Sequence, residues 1–274
     1  MNIATNVRPS PTKTVATRRF GTRVVHLRDL LFALVGRDLK VRYKRSVLGI
    51  AWSLVNPLAQ LLVFVFVFGH VLNLGGPRYS VVVFTGVLAW SWFSTSIMQG
   101  AGAIVDNRQL IRRPGFPSAI LPVVAGTTNL IHFLLALPVL LLFALIDGSP
   151  FGWSLLLLPL VIAVQSLLIL GITYVVAMLQ VTFRDTAHLA GLILMMMMYL
   201  TPVFYDPAII PAEYRAVYDL NPMVHIIGAF RDIVVHGQAP ALLPLVVVGL
   251  VGLGLLGLGY GLFARARAGF VEEL

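Results

Sequence analysis

Of the chain's 274 residues only 11% are charged and 58% are hydrophobic, and the mean hydropathy is +0.91. A soluble domain carries roughly 25% charged residues, so these figures exclude an ordinary soluble fold and place the chain in the membrane class. The formal charge of +9 does not point to nucleic acid, because eleven of the 20 Lys and Arg lie in the first 45 residues, the pattern of a cytoplasmic anchoring arm. The absence of cysteine excludes disulfides, thiolate catalysis and Cys-based metal sites.

Residues 1–25, with Pro9, Pro11 and scattered Thr and Arg, read as a disordered cytoplasmic tail. No apolar run beside a small-residue cleavage site occurs in residues 1–50, so the first span is expected to direct insertion. Residues 26–46 form an amphipathic basic helix lying in the membrane interface. Leu27, Leu30, Leu31 and Leu34 share one face, and Arg37, Lys40 and Lys44 share another. Arg37, Lys40, Arg42, Lys44 and Arg45 make a basic collar, after which no charge occurs until Arg78. Such a junction marks the cytoplasmic entry of a transmembrane helix.

The charges divide the rest. The intervals 46–77, 79–105, 114–146, 148–183, 186–205 and 237–264 contain no Asp, Glu, Lys or Arg. Each holds the ~20 residues that cross a ~30 Å hydrocarbon core. The expectation is therefore an all-α domain of six transmembrane helices over residues 47–266, followed by a cytoplasmic tail at 267–274. With both termini inside, 17 Lys and Arg stay on the cytoplasmic side and only Arg78, Arg215 and Arg231 lie outside. Between Tyr205 and Gln238 the outer loop is too long for a turn. Met223, Ile226, Ile227, Phe230, Ile233 and Val234 give it one apolar helical face, opposite His225, Asp232 and His236. A short helix or re-entrant hairpin follows, serving as a gate or a cap.

No Gly-x-x-x-x-Gly-Lys-Ser/Thr occurs, so the chain holds no P-loop for ATP. The six His are scattered, and Met195 to Met198 read as flexible packing rather than soft-metal ligands. No pair of carboxylates lies within a span, which argues against proton coupling and acid–base catalysis. Asn129 and His132 sit mid-span, as part of a pathway or as interhelical hydrogen-bond partners. Two stripes carry more weight. Asn56, Gln60, Phe64 and Phe68 follow one i, i+4 row, while Thr85, Trp92, Ser96 and Gln99 share a side beside Trp90 and Phe93. Lipid has no use for amides, so both rows face protein or a wet path. Rings and amides together suit a sugar chain, and ordinary helix packing is the competing reading. The cationic loop 106–117, with Asn107, Arg108, Arg112 and Arg113, suits a soluble partner, although the positive-inside bias also accounts for its arginines.

Several fragments together carry a resemblance. They are Arg37-Asp38 through Tyr43 running into Leu48-Gly49-x-x-Trp52-x-x-x-x-Pro57, and Asn107-x-x-Leu110-Ile111 followed by Phe116-Pro117. Further on come Phe183-Arg184-Asp185, Thr201-Pro202-Val203-Phe204-Tyr205, and Asn221-Pro222 with Phe230-Arg231. In this order, over about residues 28–270, the chain resembles the permease subunit of bacterial polysaccharide ABC exporters. These are the Wzm-type permeases for O-antigen, teichoic acid or cell-wall galactan. It departs from them in the extra basic Arg112-Arg113-Pro114-Gly115 and in Thr201, where Ser is commoner.

The resemblance implies a multi-pass protein of the bacterial inner membrane that is not itself an enzyme. It implies a homodimer joined to two copies of a separate ATPase that holds the ATP and Mg, with no cofactor in this chain and no nucleic acid. The cargo would be a polyprenyl-diphosphate-linked glycan. Asn107, Arg108, Arg112, Arg113, Arg184 and Asp185 would couple to the ATPase, and residues 207–236 would be outer gate helices. The collar residues Arg37, Lys40, Arg42, Lys44 and Arg45 would meet membrane lipids and the lipid diphosphate. The substrate path would comprise Asn56, Gln60, Phe64, Phe68, Trp90, Trp92, Phe93, Gln99, Tyr199, Phe204 and Tyr205. A permease for a small compound such as a drug, or a glycosyltransferase acting on polyprenyl lipids, are the alternative classes. Asp106 and Asp185 alone in the inner loops give the latter little to work with.

Overall fold

The computed structural model describes residues 15–44, 46, 49–71, 76 and 78–273. Among them every regular element is helical, as a backbone in lipid requires when its hydrogen bonds must close within each segment. Helix α1 (Val15–Tyr43) opens well before the expected start at His26, so residues 15–25 are helical rather than part of a tail. Residues 1–14 and the collar residue Arg45 lie outside the described residues.

Five helical segments are long and apolar enough to cross a membrane: Leu54–Val71, Tyr79–Gly102, Ile120–Ile146, Trp153–Thr182 and Leu242–Ala266. The first is α2 (Trp52–Phe64) continued by π-helical turns over Val65–Val71. The others contain α3 (Tyr79–Gly102), α5 (Ile120–Ile146), α6 (Leu158–Thr182) and α10 (Leu242–Ala266). Short helices fill the connections: α4 (Arg108–Ile111), α8 (Ala212–Asp219), α9 (Pro222–Val234) and the terminal α11 (Phe270–Glu273).

The uncharged interval 186–205 does not form a full-length helix. Helix α7 (Thr186–Leu200) has 15 residues, about 22 Å at 1.5 Å per residue, against a core of ~30 Å. Pro202 is the reason. It disfavours helical dihedrals in the residue before it, and Thr201 is extended at φ −103°, ψ 138°.

Helix α3 is the hub. Its span is 72% buried, against 11% for the first span, and it packs on α2, α5, α6, α7 and α9. Helices α6 and α10 meet backbone to backbone. A Cβ on Gly171 would lie 2.7 Å from Leu256 N, and one on Gly259 would lie 2.6 Å from Gly171 O. Small residues bring membrane helices this close where no hydrophobic driving force exists between them. Gln165, fully buried on α6, donates to Ala89 O of α3 at 2.8 Å and ties the two helices in mid-span.

Two apolar cores result. The larger runs through the middle of the bundle and includes α9. There Met223, Ile226, Ile227, Phe230, Ile233 and Val234 are all buried, so the apolar face of α9 turns into the protein. Asn221 caps that helix by accepting from Met223 N, with Pro222 at the first turn. The smaller core gathers Leu34 and Val35 of α1, Ile104, Ile111, Tyr174, Phe263 and Phe270. Past α10 the chain docks back on the bundle, because Phe270 is buried against Phe263 with ring centroids 5.1 Å apart.

Candidate functional site

A cleft of about 510 Å³ opens where the end of α1 meets α2, α3 and α5. Trp52, Asn56 and Gln60 line it from α2, one above another because residues four apart share a helix face. Trp90 and Trp92 reach it from α3, Asn129 and His132 from α5, and Arg42 and Tyr43 close its α1 end. Trp52 is 50% exposed, an open ring beside open amides. Such walls offer stacking to CH faces and hydrogen bonds to hydroxyls.

The two mid-span polar groups both line this cleft and tie helices together. Asn129 Nδ2 donates to Gln99 Oε1 of α3 at 3.0 Å and to Ala125 O at 2.9 Å. His132 Nε2 lies 2.9 Å from Tyr43 Oη, joining α5 to the end of α1. Neither Tyr43 nor Trp52 stood among the expected path residues. Trp52 continues the Asn56–Gln60 row one step back, a signal the spacing carried. Tyr43 pairs with a residue 89 positions away, which no local pattern reports.

The expected path residues do not form one wall. Trp90 and Trp92 are largely packing, 4% and 3% exposed. Trp92 stacks on Phe133 at 4.9 Å and Trp90 tilts against Phe93 at 5.4 Å. Phe93 is buried and takes no part in lining the cleft, while the amide oxygen of Gln99 is occupied by Asn129. Phe64 and Phe68, further along the first span, pack on Phe204 at 5.0 and 4.9 Å. Tyr199 and Tyr205 belong to a second hollow of about 540 Å³, shared with Tyr214 and Tyr218 of α8. The Tyr205 hydroxyl donates to Tyr199 O at 3.1 Å and lies 3.3 Å from Tyr218 Oη.

The basic residues also divide. Arg37 Nη2 donates to Asn107 Oδ1 at 2.8 Å while pairing with Asp38 at 2.9 Å. Arg37 therefore braces α1 against the 103–111 segment. Asn107 Nδ2 donates onward to Ala103 O at 2.9 Å, stiffening the turn before α4. Lys40, Arg42 and Lys44 are exposed. Arg112 and Arg113 line a hollow of about 330 Å³ together with Phe116 and Arg267. Arg108, Arg184 and Asp185 are exposed. Among the described residues no three His, Cys, Asp or Glu stand close enough to hold a metal ion.

Comparison with known proteins covers most of the chain. Residues 29–235 match the family model described as ABC-2 type transporter. An "O-antigen export system permease protein RfbA" of Myxococcus xanthus is 36% identical over 249 residues, 90% of this chain and 96% of that protein. A protein of the same name from Klebsiella pneumoniae is 32% identical over 216 residues, 77% of this chain and 82% of its own length. The "Polysialic acid transport protein KpsM" of Escherichia coli is 26% identical over 210 residues, covering 75% of this chain and 81% of that protein. With its long apolar helices, the chain is a multi-pass membrane protein that belongs to the ABC-2 type transporter family.

Proposed function

We propose that this chain is the membrane-spanning subunit of an ATP-driven exporter in the bacterial inner membrane. It moves a polyprenyl-diphosphate-linked polysaccharide from the cytoplasm to the outer face. The observation that carries the reading is the cleft itself: the indole of Trp52 and the amides of Asn56 and Gln60 on α2 and of Asn129 on α5, in a membrane-spanning bundle, border a hollow. The polysaccharide-export names of the relatives support the cargo class.

The chain works as a homodimer with two copies of a separate ATPase, which brings the ATP and Mg. The exposed Arg108, Arg112 and Arg113 receive that partner, with Arg184 and Asp185 beside them. Arg37 carries its movement into α1 through Asn107. Lys40, Arg42 and Lys44 attract the lipid diphosphate, since basic residues at an anionic surface contribute ~1 kcal/mol each.

Six crossings with both termini inside fit best. Leu34 near the start and Phe270 near the end share one apolar core, which supports an even number of crossings with both ends on one side. Five crossings are long helices; α7 and the non-helical residues 201–205 make the sixth, and α8 and α9 close the outer end.

Deleting the gene in its host tests the reading. Surface polymer should disappear and lipid-linked polymer should accumulate inside, and both should be reversed by the wild-type gene. Normal surface polymer, or nucleotide hydrolysis by the purified chain alone, ends the proposal. Single cysteines at the exposed Asp147 and Gln238, labelled only from outside, and at Gln109, labelled only from inside, check the topology on this cysteine-free chain.

A further inference from the structure

Residues 201–205 are a non-helical stretch of turns and bends inside a helical bundle, and residues 201–204 are buried. Such backbone persists at membrane depth only where protein groups take up its hydrogen bonds. Here the carbonyls of Val203, Phe204 and Tyr205 are all engaged by side chains from other elements. Arg231 Nη2 donates to Val203 O at 2.9 Å and its Nη1 to Tyr205 O at 3.3 Å. Tyr79 Oη donates to Phe204 O at 2.7 Å. Arg231 Nε reaches Val82 O of α3 at 3.3 Å, so one guanidinium joins α3, α9 and the non-helical stretch. Asn221 Nδ2 adds a bond to Thr201 Oγ1 at 2.8 Å.

Arg231 is 5% exposed, and no carboxylate among the described residues lies within ion-pair distance of it. Burial pulls its pKa down to about 10, with Asp206, Tyr79 and Tyr205 opposing, so the charge persists at neutral pH. A buried guanidinium is costly, and this one serves only backbone carbonyls. Their common product is the placement of the Phe204 ring. That ring stands against Phe64 and Phe68 of the first span at 5.0 and 4.9 Å.

The two sides of this aromatic contact are held very unequally. Phe204 sits on backbone fixed by directional bonds to α3 and α9. Phe64 and Phe68 sit on a span that is 11% buried and locally π-helical. Ring contacts are the weaker of the two and yield before charge-assisted hydrogen bonds do.

We propose that Arg231 is the positioning residue of the outer seal of the export path, holding Phe204 still while the first span carries Phe64 and Phe68 away to open it. This rests on the export reading, but its first test does not involve the glycan. In a chain without cysteine, Phe68→Cys is the only thiol, and its reaction with a membrane-impermeant maleimide added outside reports the seal. In the resting complex, Arg231→Met should speed that labelling at least tenfold, Arg231→Lys should fall between it and the parent, and Tyr79→Phe should give a smaller rise. Unchanged labelling in both Arg231→Met and Tyr79→Phe overturns the positioning role.

The second test assigns the moving side. A reducible cross-link between Phe64→Cys and Phe204→Cys should stop export until reductant is added. One between Thr201→Cys and Asn221→Cys should leave export as it was before cross-linking. A block by the second cross-link, or none by the first, overturns the assignment. Export of a different cargo would leave the labelling result intact, which separates failure of this inference from failure of the functional reading.

Discussion

The indole rings of Trp52 and Trp92 border the same cleft, yet the structure gives them opposite duties. Trp92 is 3% exposed and stacked on Phe133, which in turn packs on Phe230 of α9 with centroids 5.6 Å apart. Trp92→Ala therefore breaks a chain of rings that joins α3, α5 and α9. Large-to-small truncation of a buried Trp costs about 3–5 kcal/mol, and a domain this size loses roughly 2–4 °C of Tm per kcal/mol. The detergent-solubilised protein should then melt on the order of 10 °C lower. Trp52, half exposed at the cleft wall, holds up nothing comparable. Trp52→Ala should leave Tm within about 2 °C, since surface changes stay within ±0.5 kcal/mol. Loss of one stacking contact, ~0.5–1.5 kcal/mol, should slow export roughly 2- to 13-fold. Fluorescence-detected thermal unfolding and a surface-polymer assay on the same two variants decide the matter. An unshifted Tm in Trp92→Ala with export lost would show that its ring faces the cargo, and the division of duties drawn here would be wrong.

Other outcomes follow from the same geometry. A Cβ on Gly86 would fall 3.0 Å from the carbonyl carbon of Val203 and nearer still to its oxygen, whereas Gly254 has nothing within 4 Å. Gly86→Ala should cost about 1–3 kcal/mol as overpacking and Gly254→Ala should be neutral in thermal unfolding; equal Tm values would contradict the close approach. Arg112→Glu with Arg113→Glu should abolish co-purification of the ATPase, while the isolated permease keeps its Tm; retained co-purification would move the docking surface elsewhere. Arg37→Ala removes the bond to Asn107 at 2.8 Å, a contribution of about 0.5–1.5 kcal/mol. It should lower export per ATP hydrolysed without releasing the ATPase, and an unchanged ratio would count against α1 as the transmitter. Asn129→Leu, which frees Gln99, should cost no more than ~1.7 kcal/mol, measured by thermal unfolding.

The long helices were legible because lipid punishes charge, so the distance between charged residues measures the spans. The α9 face was legible for a related reason: its six apolar residues recur at helical period and all of them are buried. Helix α7 was misjudged in length because an uncharged interval does not reveal where Pro202 ends the winding. At the site, Asn56 and Gln60 could be placed since amides in a span need a reason to be there. Trp90 and Trp92 border the cleft with little of their rings open, which the sequence does not tell, because an indole beside polar residues looks alike whether it faces a cargo or, as with Trp92, another ring. Partners far apart in the chain, such as Tyr43 with His132 or Arg231 with Val203, left no local trace. Only the folded arrangement brings them together.

The seven-residue π-wound portion of the first span, Val65–Val71, sets the angular phase between the two halves of that helix. Residues Trp52, Asn56 and Gln60 lie before it, and Phe68 lies within it. Winding the same seven residues as an ordinary α-helix, with no wide turn to absorb the surplus one, would turn everything beyond it by on the order of 100°. The cleft wall would keep its bearing while the ring at position 68 swung off Phe204. One surplus residue thus works as an index mark, aligning the inner and outer halves of the passage without any contact between them.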